Sequence, residues 1–325
     1  MLPLQGIIRR MRILFCGDTF PAASRTLQKR LHVPGDEVLV CRGDEIRRAA
    51  GRAEVLIPLM SRIDAAVMDA GPIRLIQQWG AGIEGVDLAA ARERGIQVAN
   101  VPATGGNADS VAEHAILLIV ALLRELPAAQ ESVRAGRLGS PQGRTLAGRT
   151  VCLYGLGALA KALARRLRPF DVRLLGITRD PHAAKVKEFG LDACFSIEQR
   201  SAGLARTDVL VLCTSLSKDT HGMIDESALN ALPQGAYLVN IARGPLIQYD
   251  ALYSALKSGH LGGAGLDVFW KEPIAPGDPL LALPNVIATP HVAGVTDRSY
   301  EAIAVVVASN IERLRRGEPL LNCVT

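Results

Sequence analysis

Short apolar runs bounded by polar or turn-forming residues recur along the chain. They fall at Arg12–Cys16, Glu37–Val40, Glu54–Ile57, Ile73–Ile76 and Ile96–Asn100, then at Thr150–Tyr154, Val172–Ile177, Asp208–Cys213, Ala236–Asn240, Gly263–Asp267 and Val286–Thr289. Segments with helical spacing, such as Ala22–Leu31 and Val86–Arg94, separate them. Strand-sized apolar runs alternating with helices predict βαβ units and parallel sheets. The series breaks once, at Asn107–Arg124, a predicted long helix with apolar Val111, Ala115, Leu118, Ile119 and Leu122. It is nearly apolar all round in its second half, so burial against another domain or subunit is expected. Glu125–Gly148 is polar and weakly periodic and reads as a linker or arm. A last amphipathic helix, Asp297–Arg316, is basic at its carboxyl end, as the helix dipole favours. The pattern predicts an α/β protein of two domains, each a doubly wound parallel sheet.

Composition narrows the class. A chain of 325 residues suits about two domains at ~150 residues each. With 49% apolar and 21% charged residues and ordinary Gly and Pro usage, disordered and low-complexity classes are excluded. The longest uncharged apolar run, Ala115–Leu123, falls far short of the ~20 residues a bilayer requires, so no membrane span is expected. The amino-terminal residues do not read as a signal peptide. Six scattered cysteines without a CxxC pair point to reduced core thiols in a cytoplasmic protein, and no metal site is expected. The net charge of +5 is spread without a basic stripe or recognition motif, so no nucleic-acid partner is expected.

Candidate chemistry begins at Gly155-Leu156-Gly157-Ala158-Leu159-Ala160, between a predicted strand and a predicted helix. In that setting Gly155 permits a tight turn and Gly157 admits a pyrophosphate to the backbone. Ala160 packs closely, and the helix amino terminus offers unpaired N–H groups to the anion. Further on, Arg243, Glu272 and His291 each stand just beyond a predicted strand. Singly, each reads as an ordinary loop residue. Together, at the strand ends where open sheets place ligands, they supply what carbonyl reduction needs: a proton donor, a carboxylate to tune it and a cation for an anionic substrate.

The chain resembles the NAD(P)-dependent, D-isomer-specific 2-hydroxyacid dehydrogenases. The matching segments are Gly80–Asp87, Gly95–Pro102, Asn107–His114, the glycine loop, Asn240–Gly244, Leu266–Pro273 and Thr289–His291, in order over nearly the whole chain; the first ten residues look like an extension. The resemblance implies a flavodoxin-like substrate domain, 1–102 plus 294–325, and a Rossmann cofactor domain, 103–293, that also forms a homodimer. It implies His291 as acid/base, Glu272 as its partner, Arg243 as substrate anchor and the Ala81 and Gly82 amides as the carboxylate grip. Asp267 would fix the nicotinamide amide, with Ile241 and Ala242 lining the nicotinamide. No regulatory domain like that of long phosphoglycerate dehydrogenases is expected after the last helix.

Two departures stand out. Cys213-Thr214-Ser215 lacks the proline usual at that strand end, and Thr178-Arg179 replaces the usual acidic ribose ligand. A neutral residue followed by a permanent cation suits a 2′-phosphate, so NADP is predicted, with NAD as the second coenzyme. Glyoxylate- or hydroxypyruvate-type reduction is the expected activity, with Leu59, Met60, Trp79 and Trp270 as candidates for substrate discrimination. The alternative is a cofactor-sensing, corepressor-like binding protein of the same fold. Formate oxidation is disfavoured, because formate dehydrogenases carry Gln where Glu272 stands.

Overall fold

The computed structural model of the chain describes residues 10–102 and 106–325. The expected amino-terminal extension lies outside the described residues apart from Arg10. The chain divides into two compact units, Met1–Asn107 with Asp297–Thr325, and Ala108–Thr296.

The first unit holds five parallel strands, β1 (Arg12–Phe15), β2 (Glu37–Val40), β3 (Val55–Ile57), β4 (Leu75–Gln77) and β5 (Gln97–Ala99), in the order β2-β1-β3-β4-β5. The middle strands are mostly apolar because helices cover both faces; β3 and β4 are buried at every position, including polar Gln77 at the end of β4. Helix Asp297–Arg316 belongs to this unit and buries Ile303, Ala304, Val307, Ile311 and Leu314. Its buried Asn310 donates to Gln77 Oε1 on β4 at 2.7 Å and accepts from the Leu321 N–H at 2.8 Å. The tail then runs antiparallel to β5, with Cys323 opposite Ala99 and the Val324 N–H donating to Val98.

The second unit holds seven parallel strands, β6 (Thr150–Tyr154), β7 (Arg173–Ile177), β8 (Ala193–Phe195), β9 (Val209–Leu212), β10 (Ala236–Asn240), β11 (Leu261–Leu266) and β12 (Val286–Ala288), in the order β12-β11-β10-β9-β6-β7-β8. The order reverses between β6 and β9, the switch point at whose carboxyl ends open α/β sheets place ligands.

Two features depart from the sequence expectations, and a third is partly met. Strand β8 was not expected. Helix Leu126–Arg134 occupies part of the stretch read as a linker, started by Pro127 in its first turn. Helix Gly106–Leu123, expected to bury itself against another domain or subunit, packs one apolar face inside the second unit and leaves Leu117 exposed. Ala112, Ala115, Leu118, Ile119 and Leu122 pack with Val151, Leu153, Val209, Val211 and Val239. The absent side chains of Gly263 and Gly265 let Leu122 and Leu118 approach the sheet. By length and composition this helix could cross a membrane, although its longest uncharged run is short; half of it is buried, as in a core helix. Cys16, Cys41 and Cys152 are buried free thiols of the core, as expected, and burial pushes the Cys152 thiol up to about 12; Cys194 and Cys213 are half-buried, and Cys323 is exposed, against that expectation.

The Gln77–Asn310 bond is buried on both sides. Asn310→Ala should leave Gln77 Oε1 without its donor and cost about 1–3 kcal/mol, read as a lower urea midpoint with an unchanged m-value.

Candidate active site

The glycine loop leaves β6 at the point of strand-order reversal. Gly155 has φ +95°, and a Cβ there would lie 2.8 Å from the Thr214 backbone at the end of β9. Only glycine suits both demands. Thr214, in the segment that lacks the usual proline, is thus the wall of the turn. A Cβ on Gly157 would meet nothing within 4 Å, which leaves room for a ligand against the backbone. Gly157 caps helix Ala158–Leu167 without a side-chain bond, and the N–H groups of Gly157, Ala158 and Leu159 have no acceptor among the described residues. Uncapped donors at a helix amino terminus fit a pyrophosphate. Leu156 packs over Gly176 of β7, and fully buried Ala160 seats the helix on the sheet. At the end of β7 the Thr178 N–H donates to Phe195 of β8 at 3.0 Å, and Arg179 is exposed.

The candidate reactive residues follow three strand ends. His291 Nδ1 lies 2.6 Å from Glu272 Oε2, while Oε1 of the same carboxylate accepts from the Phe269 N–H at 2.9 Å. Glu272 is thereby fixed to its own loop at one oxygen and to the histidine at the other. His291 stands at φ +55°, a left-handed conformation in which a non-glycine residue is strained. Arg243 follows β10 in extended conformation, with Nη1 donating to Ala242 at 2.7 Å.

Two residues that sequence reasoning had not singled out shape this loop. Buried Asn240 accepts from the Ala242 N–H at 3.1 Å and donates to the Arg243 carbonyl at 2.8 Å, closing the turn. A Cβ on Gly244 would lie 2.1 Å from the Phe269 carbonyl carbon and 2.5 Å from the Trp270 nitrogen. The missing side chain therefore lets the arginine loop lie directly against the glutamate loop. A glycine after a candidate arginine was the only available signal for that role.

Asp267, which ends β11, is 1% exposed and accepts from Thr289 Oγ1 (2.6 Å), the Val292 N–H (2.9 Å) and the Ala293 N–H (2.9 Å). Its carbonyl accepts from the His291 N–H at 2.8 Å. The carboxylate thus holds the segment on both sides of His291. His114, from helix Gly106–Leu123, places Nε2 at 2.9 Å from the Thr289 hydroxyl and 3.5 Å from Asp267 Oδ1, another partner not singled out beforehand. Ile241 and Ala242 are 6% and 9% exposed, with side chains in two different apolar clusters of the sheet.

In the first unit, Ala81 and Gly82 lie in the loop after β4, with Ala81 exposed. Of the residues expected to discriminate substrates, Met60 is exposed, whereas Leu59 and Trp79 are buried, Trp79 between Phe15 and Tyr300. Trp270, in the second unit, donates from its indole to Ile247 and meets Tyr249 edge-on.

A dinucleotide loop joined in one unit to a histidine–carboxylate pair and a neighbouring arginine defines a nicotinamide-dependent dehydrogenase. Residues 116–293 match the family described as D-isomer specific 2-hydroxyacid dehydrogenase, NAD binding domain. A glyoxylate reductase of Thermofilum pendens is 35% identical over 290 residues, covering 85% of this chain and 82% of that protein. A D-3-phosphoglycerate dehydrogenase of Archaeoglobus fulgidus is 33% identical over 286 residues, 87% of this chain, which spans about half (53%) of that longer relative. The crystal structure of an NADPH-dependent glyoxylate/hydroxypyruvate reductase from Sinorhizobium meliloti, in complex with NADP and malonate, matches with a TM-score of 0.82 at 30% identity, covering 98% and 97% of the two chains. The chain belongs to the D-isomer specific 2-hydroxyacid dehydrogenase family.

Gly244→Ala tests the loop contact. Overpacking there should cost about 1–3 kcal/mol of stability. Displacing Arg243 and Glu272 should lower turnover by roughly 10²-fold, seen by pairing steady-state kinetics with thermal unfolding.

Proposed function

We propose that the protein reduces a small 2-oxoacid of the glyoxylate or hydroxypyruvate type to the D-2-hydroxyacid, with NADPH as the preferred coenzyme. The observation that carries this reading is the 2.6 Å pairing of His291 Nδ1 with Glu272 beside the Arg243 loop. With Nδ1 committed to the carboxylate, the transferable proton is assigned to Nε2, which delivers it to the substrate's carbonyl oxygen. Arg243 offers a planar cation to the substrate's oxygens. The backbone of Ala81 and Gly82 grips the carboxylate. The glycine loop holds the pyrophosphate, and Asp267 Oδ2, with one donor, keeps acceptor capacity for the nicotinamide amide. Backbone groups of Ile241 and Ala242 border the nicotinamide, which supplies hydride when bound. Reductases among the relatives, together with this paired acid, favour an enzyme over a binding protein without turnover.

The NADP preference rests on the end of β7. Arg179 has no ion pair among the described residues, and neighbouring Asp180 lies 3.6 Å from both His182 and Lys185. A neutral Thr178 and an exposed guanidinium suit a 2′-phosphate. A homodimer formed through the second unit accounts for the exposed Leu117, Leu126, Val133 and Leu138. Six unbridged cysteines suit a reducing, cytoplasmic setting.

A panel of 2-oxoacids run with NADPH and with NADH tests the activity, and absence of turnover with every member would overturn it. His291→Ala should lower kcat about 10²-fold or more; wild-type turnover in this variant would remove His291 from the mechanism. Arg243→Lys should raise KM for the oxoacid and lower kcat together, since lysine does not reproduce the planar fork. Arg179→Ala should cut kcat/KM with NADPH while leaving NADH nearly unchanged; an equal loss with both coenzymes would reject the phosphate contact.

A further inference from the structure

Three successive carbonyls in the loop after β4 are tied back to the ends of β4 and β5. The Val101 N–H donates to Gly80 at 2.8 Å, the Asn100 side-chain amide to Ala81 at 2.8 Å, and the Gln78 side-chain amide to Gly82 at 2.7 Å. Gln78 is itself held firmly. It is 7% exposed, its amide also donates to Leu59 at 3.0 Å, and its Oε1 accepts from the Trp79 N–H at 2.9 Å.

The consequence follows from peptide geometry. In a trans peptide the carbonyl of one residue and the N–H of the next point in opposite directions, and no cis bond occurs in this loop. Carbonyls drawn toward residues 78, 100 and 101 therefore turn the N–H groups of Ala81, Gly82 and Ile83 away from the strand ends. None of these three N–H groups has an acceptor among the described residues. Three consecutive unpaired donors on one side of a tethered loop make a row suited to an anion with several oxygens. Two of the three tethers are side chains, so the row's orientation depends on residues that do not themselves contact the ligand.

We infer that Gln78 and Asn100 are positioning residues for the substrate's carboxylate, aiming the N–H groups of Gly82 and Ile83 alongside that of Ala81. This deepens the oxoacid-reductase reading and rests on it for the identity of the carboxylate. Both side chains act only as tethers, so their loss should weaken carboxylate binding while sparing coenzyme binding and, largely, the chemical step.

The test uses Gln78→Met and Asn100→Ala, neither of which adds charge; Asn100 is not buried, so its variant should fold if the first does not. Two readouts are taken on the full chain saturated with coenzyme: glyoxylate kinetics, and calorimetric binding of oxalate as a carboxylate probe. Each variant is expected to raise KM for glyoxylate and the oxalate Kd about tenfold, the order of one lost neutral hydrogen bond. Coenzyme affinity should not move, and kcat should fall less than about threefold. Wild-type oxalate affinity in folded variants overturns the inference and leaves the reductase reading intact. A wild type that binds oxalate, with weakened variants, but reduces no oxoacid overturns the reductase reading and leaves the tethers standing. A wild type that neither binds oxalate nor turns over glyoxylate overturns both.

Discussion

The buried carboxylate of Asp267 is the interaction on which the placement of His291 depends. A carboxylate at 1% exposure is tolerated only because donors replace its water, and here they are the Thr289 hydroxyl and the Val292 and Ala293 amides. Those donors flank His291, so the same bonds that compensate burial also fix the loop that carries the histidine. The positive φ of His291 becomes intelligible in that light: hydrogen bonds on either side oblige the intervening residue to accept the strained conformation. His114 extends the arrangement into the long core helix, whose position against Gly263 and Gly265 is itself set by close packing.

Glycines do for the loops what Asp267 does for the histidine segment. Gly155 admits the Thr214 backbone and Gly244 admits the Phe269–Trp270 backbone. In each case the absent Cβ lets two strand-end loops share space that one side chain would fill. A parallel sheet delivers its loops to one edge; these contacts bring them close enough to act together.

Much of this was legible in the residues. The alternation of apolar runs with helical segments indicated all the strands but β8, whose three residues are only half-buried and lie beyond Asp192 in a run too short to stand out. The glycine loop and the set Arg243, Glu272 and His291 were visible because each follows an apolar run. Other parts were not. Asn240 and Gln78 sit at the ends of strands, and their effect lies in carbonyls and N–H groups that no residue pattern reports. His114 falls on a helix whose apolar character suggested an interface, and its partner Thr289 lies far along the chain. Helix Leu126–Arg134 was obscured by its small buried surface.

The first unit is assembled from both ends of the described chain, and its edge strand β5 is paired by residues that follow the last helix. On the ribosome this imposes an order. The second unit emerges whole before helix Asp297–Arg316 exists, an interval of roughly 10–40 s at ordinary elongation rates. Through that time the nascent first sheet lacks the helix that buries Gln77 and shows β5 as an open edge, a template for pairing with a neighbouring nascent chain. Chaperone demand during synthesis should therefore concentrate on the amino-terminal segment rather than on the cofactor domain.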